Sequence, residues 1–245
     1  MSRIIGALML LTALVSAGAV LATEDFTVVP FEFDPFGTRL VAAEWTSGLG
    51  CPTAATTRAF LPDGTVGPPT PFTDPACPTG DSKDKRNEGL LLAKTGPTSN
   101  DASAGAVIHD VKGTALTELG YDIRKPGVDV NDPRGSHCGA GAPRFNVVIS
   151  GETFFIGCNS PPPDIDSPGL GWQRLRWGGT APLRAFSQTD SQCQPCSISG
   201  RPIEQLSIVF DEGQDAQGAP DSFGLAVLDN IDVNGTLVGR GPRGD

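Results

Sequence analysis

The chain predicts an all-β protein, a two-sheet β-sandwich of jelly-roll type with long disulfide-tied loops, and three observations carry that prediction. First, 31 glycines and 22 prolines punctuate the 245 residues, so the apolar runs are short and bounded by turn residues. Second, no long amphipathic helical period lies between them. Third, six cysteines follow an export-type leader, a setting in which disulfides pin loops.

The leader occupies residues 1–22. Arg3, the apolar run 4–15 and the small-residue exit Val20-Leu21-Ala22 read as a secretory signal peptide. Residues 23–245 are then expected as one secreted domain, extracellular or periplasmic, of a length that a single core supports. A formal charge of −10 argues against nucleic acid and anionic membrane as partners. No later run reaches the ~20 apolar residues that span a bilayer, so no membrane insertion is expected.

Strands follow from alternation and turn signals. Residues 26–33 alternate around Pro30, whose missing N–H suits an edge strand, and 39–45 give a second run. Residues 46–88 form a proline-rich excursion holding Pro52, Pro62, Pro68, Pro69, Pro71, Pro75 and Pro78 and ending in a charged run at 81–88; one short strand is expected at 57–61. Strands resume at 89–95, 104–111, 116–124, 144–149 and 153–158, the last two joined by the tight turn Ser150-Gly151. Further strands are expected at 172–177, 183–187, 203–210 and 225–233, with Asn234-Gly235 a type I′ turn into 236–238. The expected core includes Phe31, Phe33, Leu91, Val107, Leu119, Val147, Phe155, Leu206, Ile208, Val227 and Ile231.

The segment 211–235, DEGQDAQGAPDSFGLAVLDNIDVNG, resembles the end of jelly-roll modules of the carbohydrate-binding and galactose-binding-like type. In those modules an acidic, glycine-containing loop precedes a final strand carrying a DNI sequence. The resemblance implies non-catalytic binding of a glycan or cell-surface polymer, and a structural calcium ion held with an aspartate of the last strand, Asp229 or Asp232 here. The middle block, LTELGYDIRKPG followed by HCGAGAPRFNVVISGETFFIGCNS, is similar to bacterial secreted proteins of unassigned function.

Calcium also has support from the residues themselves, because hard cations take several oxygen ligands from loops. Asp211, Glu212, Asp215 and Asp221 cluster before the last strand, and Asp129, Asn131 and Asp132 form a second group; neither has the EF-hand register. The alternative is a polar turn whose side chains cap their own backbone. Nearest-neighbour pairing, Cys51 with Cys77, Cys138 with Cys158 and Cys193 with Cys196, is the simplest disulfide scheme. A redox pair at Cys193-Gln-Pro-Cys196 lacks its βαβ setting, and a zinc site from Cys193, Cys196, Cys138 and His137 competes with oxidation for the same sulfurs.

For a binding face, alternation places Trp172, Arg174 and Arg176 on one side of their strand and Gln173, Leu175 and Trp177 on the other, and the first set is expected to face outward. A tryptophan flanked by arginines suits an acidic glycan or carboxylate; alternatively the arginines pair with neighbouring acids and the ring caps the core. Trp45, Trp177 and Tyr121 are further aromatic platforms. Only two histidines occur: His109 is expected half-buried on the face of Val107 and Val111, and His137 exposed. No nucleophile elbow, zincin helix, P-loop or dinucleotide fingerprint is present. The second functional reading is a glycoside hydrolase or polysaccharide lyase using two of Glu44, Glu118, Glu152 and Glu204. The third is a structural surface protein, and the terminal Arg243-Gly244-Asp245 is either an adhesion tripeptide or a charged tail.

Overall fold

Alternating side chains and punctuating turns fold this chain into strands alone. The computed structural model describes residues 26–95, 102–125, 142–165, 171–211 and 224–242, and every regular element among them is a β-strand. In chain order these are β1 (Thr27–Phe33), β2 (Val41–Ser47), β3 (Ala55–Thr57), β4 (Thr70–Phe72), β5 (Glu88–Lys94), β6 (Ser103–His109), β7 (Glu118–Arg124) and β8 (Arg144–Ile149). They continue as β9 (Glu152–Gly157), β10 (Asp164–Ile165), β11 (Trp172–Gly178), β12 (Arg184–Ser187), β13 (Cys196–Ser197), β14 (Gln205–Phe210), β15 (Gly224–Val233) and β16 (Thr236–Val238). The expected leader, His137, Cys138 and Arg243-Gly244-Asp245 lie outside the described residues.

Two antiparallel sheets face each other. The first has the order β1-β6-β14-β8-β9-β12-β13 and the second β10-β11-β7-β15-β5-β2, with β16 paired to β15. Eight of these strands, β5, β6, β7, β8, β9, β11, β14 and β15, wind as a jelly roll. Numbered one to eight along the chain, they lie 2-7-4-5 in the first sheet and 6-3-8-1 in the second. Every link crosses between the sheets except the β8–β9 hairpin at its centre. That hairpin turns on Ser150 (φ 53) and Gly151 (φ 75), and the β15–β16 hairpin on Asn234 (φ 52) and Gly235 (φ 84), each pair having the two positive φ values of a type I′ turn.

The core lies between the sheets, with Val28, Leu92, Ile108, Leu119, Ile123, Val147, Ile156, Leu206, Ile208 and Ile231 all buried. Tyr121, Phe145 and Trp177 meet at its centre with ring centroids 5.4, 5.4 and 6.0 Å apart. The Tyr121 hydroxyl donates to the Pro143 carbonyl (2.9 Å) and the Trp177 indole to that of Pro161 (2.8 Å), so neither ring strands a polar atom. Several expected core residues face the other way. Phe33 is 48% exposed, and Phe31, Val107 and Phe155 are half-buried on the outer face of the first sheet. Their strands are apolar at both phases, as in Val28-Val29 and Val107-Ile108, so alternation did not distinguish inside from outside.

The excursion covers the outer face of the second sheet. Cys51, Ala76 and Cys77 pack on Trp172 and Val227 as a second apolar cluster, with Leu91 and Leu225 beside it. The strand expected at 57–61 lies instead at β3 (Ala55–Thr57), paired with β4 and sharing only residue 57 with it, and Phe60 makes an isolated bridge to Val66. The Cys51–Cys77 disulfide spans 26 residues and Cys193–Cys196 only 3. Loop-closure entropy then assigns about 3.5 kcal/mol to the first bond and about 2 kcal/mol to the second. Urea unfolding of Cys51→Ala/Cys77→Ala is therefore expected to show a larger loss than Cys193→Ala/Cys196→Ala; equal losses would mean that the excursion gains nothing from its tether.

Candidate functional site

Trp172, Arg174 and Arg176 do lie on the outer face of the second sheet, but that face is not open. Trp172 is 2% and Arg174 6% exposed beneath the excursion. Arg174 grips Asp122 with two nitrogens (2.7 and 2.9 Å) and donates to the Thr79 hydroxyl (2.8 Å) and carbonyl. Arg176 pairs with Asp232 (2.9 Å) and lies 3.8 Å from Asp122. The outward basic-aromatic patch is thus corrected: the guanidinium groups are occupied by internal acids, and the ring seats a disulfide. Alternation assigns a side chain to a face, whereas a segment a hundred residues away decides whether that face meets water.

The acidic residues disperse. Asp211 accepts from Arg144 (2.7 Å to each oxygen). Asp229 accepts the amides of Cys51 (2.7 Å) and Asn230 (2.6 Å), and Asp232 that of Gly235 (2.7 Å). Burial, with Asp122 and Asp84 nearby, pushes the Asp229 carboxyl well above its ordinary range. Glu212, Asp215, Asp221, Asp129, Asn131 and Asp132 lie outside the described residues. Among the described residues the one group of three metal-ligating side chains is Cys51, Asp74 and Cys77, whose sulfurs are joined to each other. The calcium-site carboxylates that are described, Asp211, Asp229 and Asp232, therefore do not converge. Cys193 and Cys196 are likewise bonded together, which removes two ligands from the zinc reading. Cys158 is disulfide-bonded.

The four glutamates that could have supplied a carboxylate pair stand in different settings. Glu44 is exposed on β2, Glu118 belongs to β7 in the second sheet, and Glu152 holds Ser187 and Thr189 (2.9 Å). Only Glu204 reaches the cavity described next.

An open groove of about 510 Å³ lies on the outer face of the first sheet. Strand register builds it. One row across the strands runs Val29, Val107, Ser207, Asn146, Phe155 and Phe186. The next holds Gln205, Val148 and Thr153. Phe31 stands on the other side, opposite Gly105, where an added Cβ would come within 2.6 Å of the Phe31 ring; only glycine lets that ring lie on the sheet. His109, Asp110, Lys112 and Glu204 complete the lining. His109 is exposed, not half-buried, because Asp110 at φ 66 breaks the alternation and Val111 alone turns into the core.

The groove combines an aromatic ring and valines with neutral hydrogen-bonding groups. Asp110 accepts from the Thr27 hydroxyl (2.7 Å) and Glu204 from the Gly151 amide (3.2 Å). Asn146 differs: its Oδ1 is shielded from solvent and has no hydrogen-bond partner. A shielded acceptor without a donor is costly, and asparagine χ2 is soft enough to turn it toward a donor in the groove. Sequence reasoning missed this site, although the doubled apolar phases Val107-Ile108, Val147-Val148 and Phe154-Phe155 signalled a sheet with two apolar faces.

No protein-family model matches the chain, and no curated protein sequence matches it. Among solved structures, the chain is similar to the family 11 carbohydrate-binding module of a cellulosomal cellulase of Clostridium thermocellum, at 12% identity and a TM-score of 0.35, covering 89% of this chain and 90% of that one. A family 11 module from the same organism, in complex with a β-1,3-1,4-mixed-linked tetrasaccharide, gives 15% identity and a TM-score of 0.34, covering 85% and 96%.

Burial raises Asp232 to about 6 against the pull of Arg176, and Glu118 adds to the rise. The folded protein thus holds this proton more tightly than the unfolded chain. The stability it contributes is complete below the ordinary carboxylate value of 3.8 and is lost as pH rises through about 6. Thermal melts of Asp232→Asn, which cannot titrate, are expected to decline less than wild type across that interval. Parallel curves would show that the carboxyl ionises alike in both states.

Proposed function

We propose that the protein is a secreted, non-catalytic binding module that takes an extracellular carbohydrate chain on the outer face of its first sheet. The observation that carries this reading is the Asn146 Oδ1, shielded and without a hydrogen-bond partner, in a groove that sets apolar side chains beside polar ones. A sugar presents apolar C–H surface on its ring face and hydroxyl donors on its edge, which matches a lining of Phe31, Val107 and Val148 interrupted by Asn146, Ser207 and Gln205. A chain laid across the strands meets a new residue of each row every ~4.8 Å, the spacing between strands. Secretion rests on the leader, and calcium, if bound, on the acidic loop before β15 together with Asp229 or Asp232.

The test is a pull-down of residues 23–245 against soluble and insoluble polysaccharides, with calcium and again with chelator, while the supernatant is assayed for reducing sugar. Retention without release is expected. Asn146→Leu and Phe31→Ala should each weaken retention by roughly tenfold, the value of one lost hydrogen bond or one lost ring contact. Released sugar would make the groove an active site with Asp110 and Glu204 as its acids, and wild-type retention in both variants would remove the ligand from this face.

A further inference from the structure

Two neighbouring strands of the first sheet place four side chains of the groove as a square. On β8, Asn146 and Val148 face outward two residues apart; on β14, Ser207 stands opposite Asn146 and Gln205 opposite Val148. Val147 and Leu206, which alternate with them, point into the core. β8 therefore offers the shielded Asn146 Oδ1, an acceptor without a hydrogen-bond partner, beside an apolar side chain. β14, ~4.8 Å away, offers a hydroxyl and a carboxamide, both able to donate. The charged end of the groove favours neither sign, because it sets His109 and Lys112 against Asp110 and Glu204. Both acids already accept, from the Thr27 hydroxyl and the Gly151 amide.

We infer that this square reads an acetamido group, so that the polymer taken by the groove is a neutral chain of N-acetylated amino sugars. The inference rests on the carbohydrate reading and names the sugar class. A secondary amide is trans, which puts its N–H and its methyl on one edge and its carbonyl on the other. The first edge matches β8. The N–H, which can only donate, meets Asn146 Oδ1 once χ2 turns that oxygen toward the groove, and the methyl lies on Val148. The second edge matches β14, where Ser207 Oγ or Gln205 Nε2 donates to the carbonyl. The sugar ring face is left for Phe31 and Val107. A hydroxyl in the same place is shorter and brings no methyl, so the acetylated chain gains methyl burial and the reach to both strands.

Calorimetric titration of the purified protein with N-acetylchitopentaose and with cellopentaose tests this, because the two β-1,4 chains differ only in carrying an acetamido group or a hydroxyl at C2. The acetylated chain is expected to bind at least about fivefold more tightly. Val148→Ala should cut that ratio to about twofold or less, since it removes the seat of the methyl. A ratio taken within one variant does not depend on its overall stability. Cellopentaose bound as tightly as the acetylated chain, or more tightly, would overturn the inference and leave the carbohydrate reading standing. An unchanged ratio in Val148→Ala would overturn it too, by placing the acetyl group elsewhere. If neither pentasaccharide binds, the inference fails, and the carbohydrate reading fails with it only where the pull-down also retains no polysaccharide.

Discussion

A buried carboxylate organises the second sheet. Asp122 is fully buried on the outer face of β7, and an isolated charge there would cost several kcal/mol. Arg174 supplies two charge-assisted hydrogen bonds, Asn230 Nδ2 a third (2.7 Å), and Arg176 a more distant charge. Each of these partners then constrains something else. Arg174 fixes Thr79, and the Asn230 side-chain Oδ1 accepts the Asp81 amide (2.9 Å), so both anchor the excursion. Asn230 reaches these groups from φ 45, at the register shift between Asp229 and Asp232 in β15. The bulge, the excursion and the central ion pair form one compensation.

That compensation makes the two outer faces of the sandwich different. The second sheet is covered by Cys51, Cys77 and the residues around them, over Trp172 and Val227. The first sheet has no such cover among the described residues, and its outer face keeps half-buried apolar side chains in register with Ser207 and Asn146. Apolar surface next to neutral polar groups on rigid strands suits recognition of a ligand that is itself amphipathic. A groove placed on paired strands holds its geometry better than one made of loops.

Charge is redistributed by the same folding. The acids of the excursion and of β15 accept backbone amides or pair with arginine, Glu88 with Arg86 and Asp81 with Arg240 among them. Net charge therefore describes the long-range field of this protein while its local potential follows from which side chains are capping backbone.

The sequence by itself determined the β-sandwich, the tight turn at Ser150-Gly151 and the type I′ turn at Asn234-Gly235, and made the pairing of Cys51 with Cys77 and of Cys193 with Cys196 the simplest scheme. Each is a local or short-range matter, set by φ > 0 residues, period-2 alternation and proximity along the chain. Only the tertiary structure decided which face of each sheet was core, that Trp172 lay beneath the excursion, and that Asn146 stood unpartnered in a groove. Apolar residues at both phases of β1, β6, β8 and β9 made the two faces equivalent to alternation. The contacts that seat the excursion on the second sheet join residues more than a hundred positions apart, such as Asn230 with Asp122 and Asp81, and no local pattern encodes them.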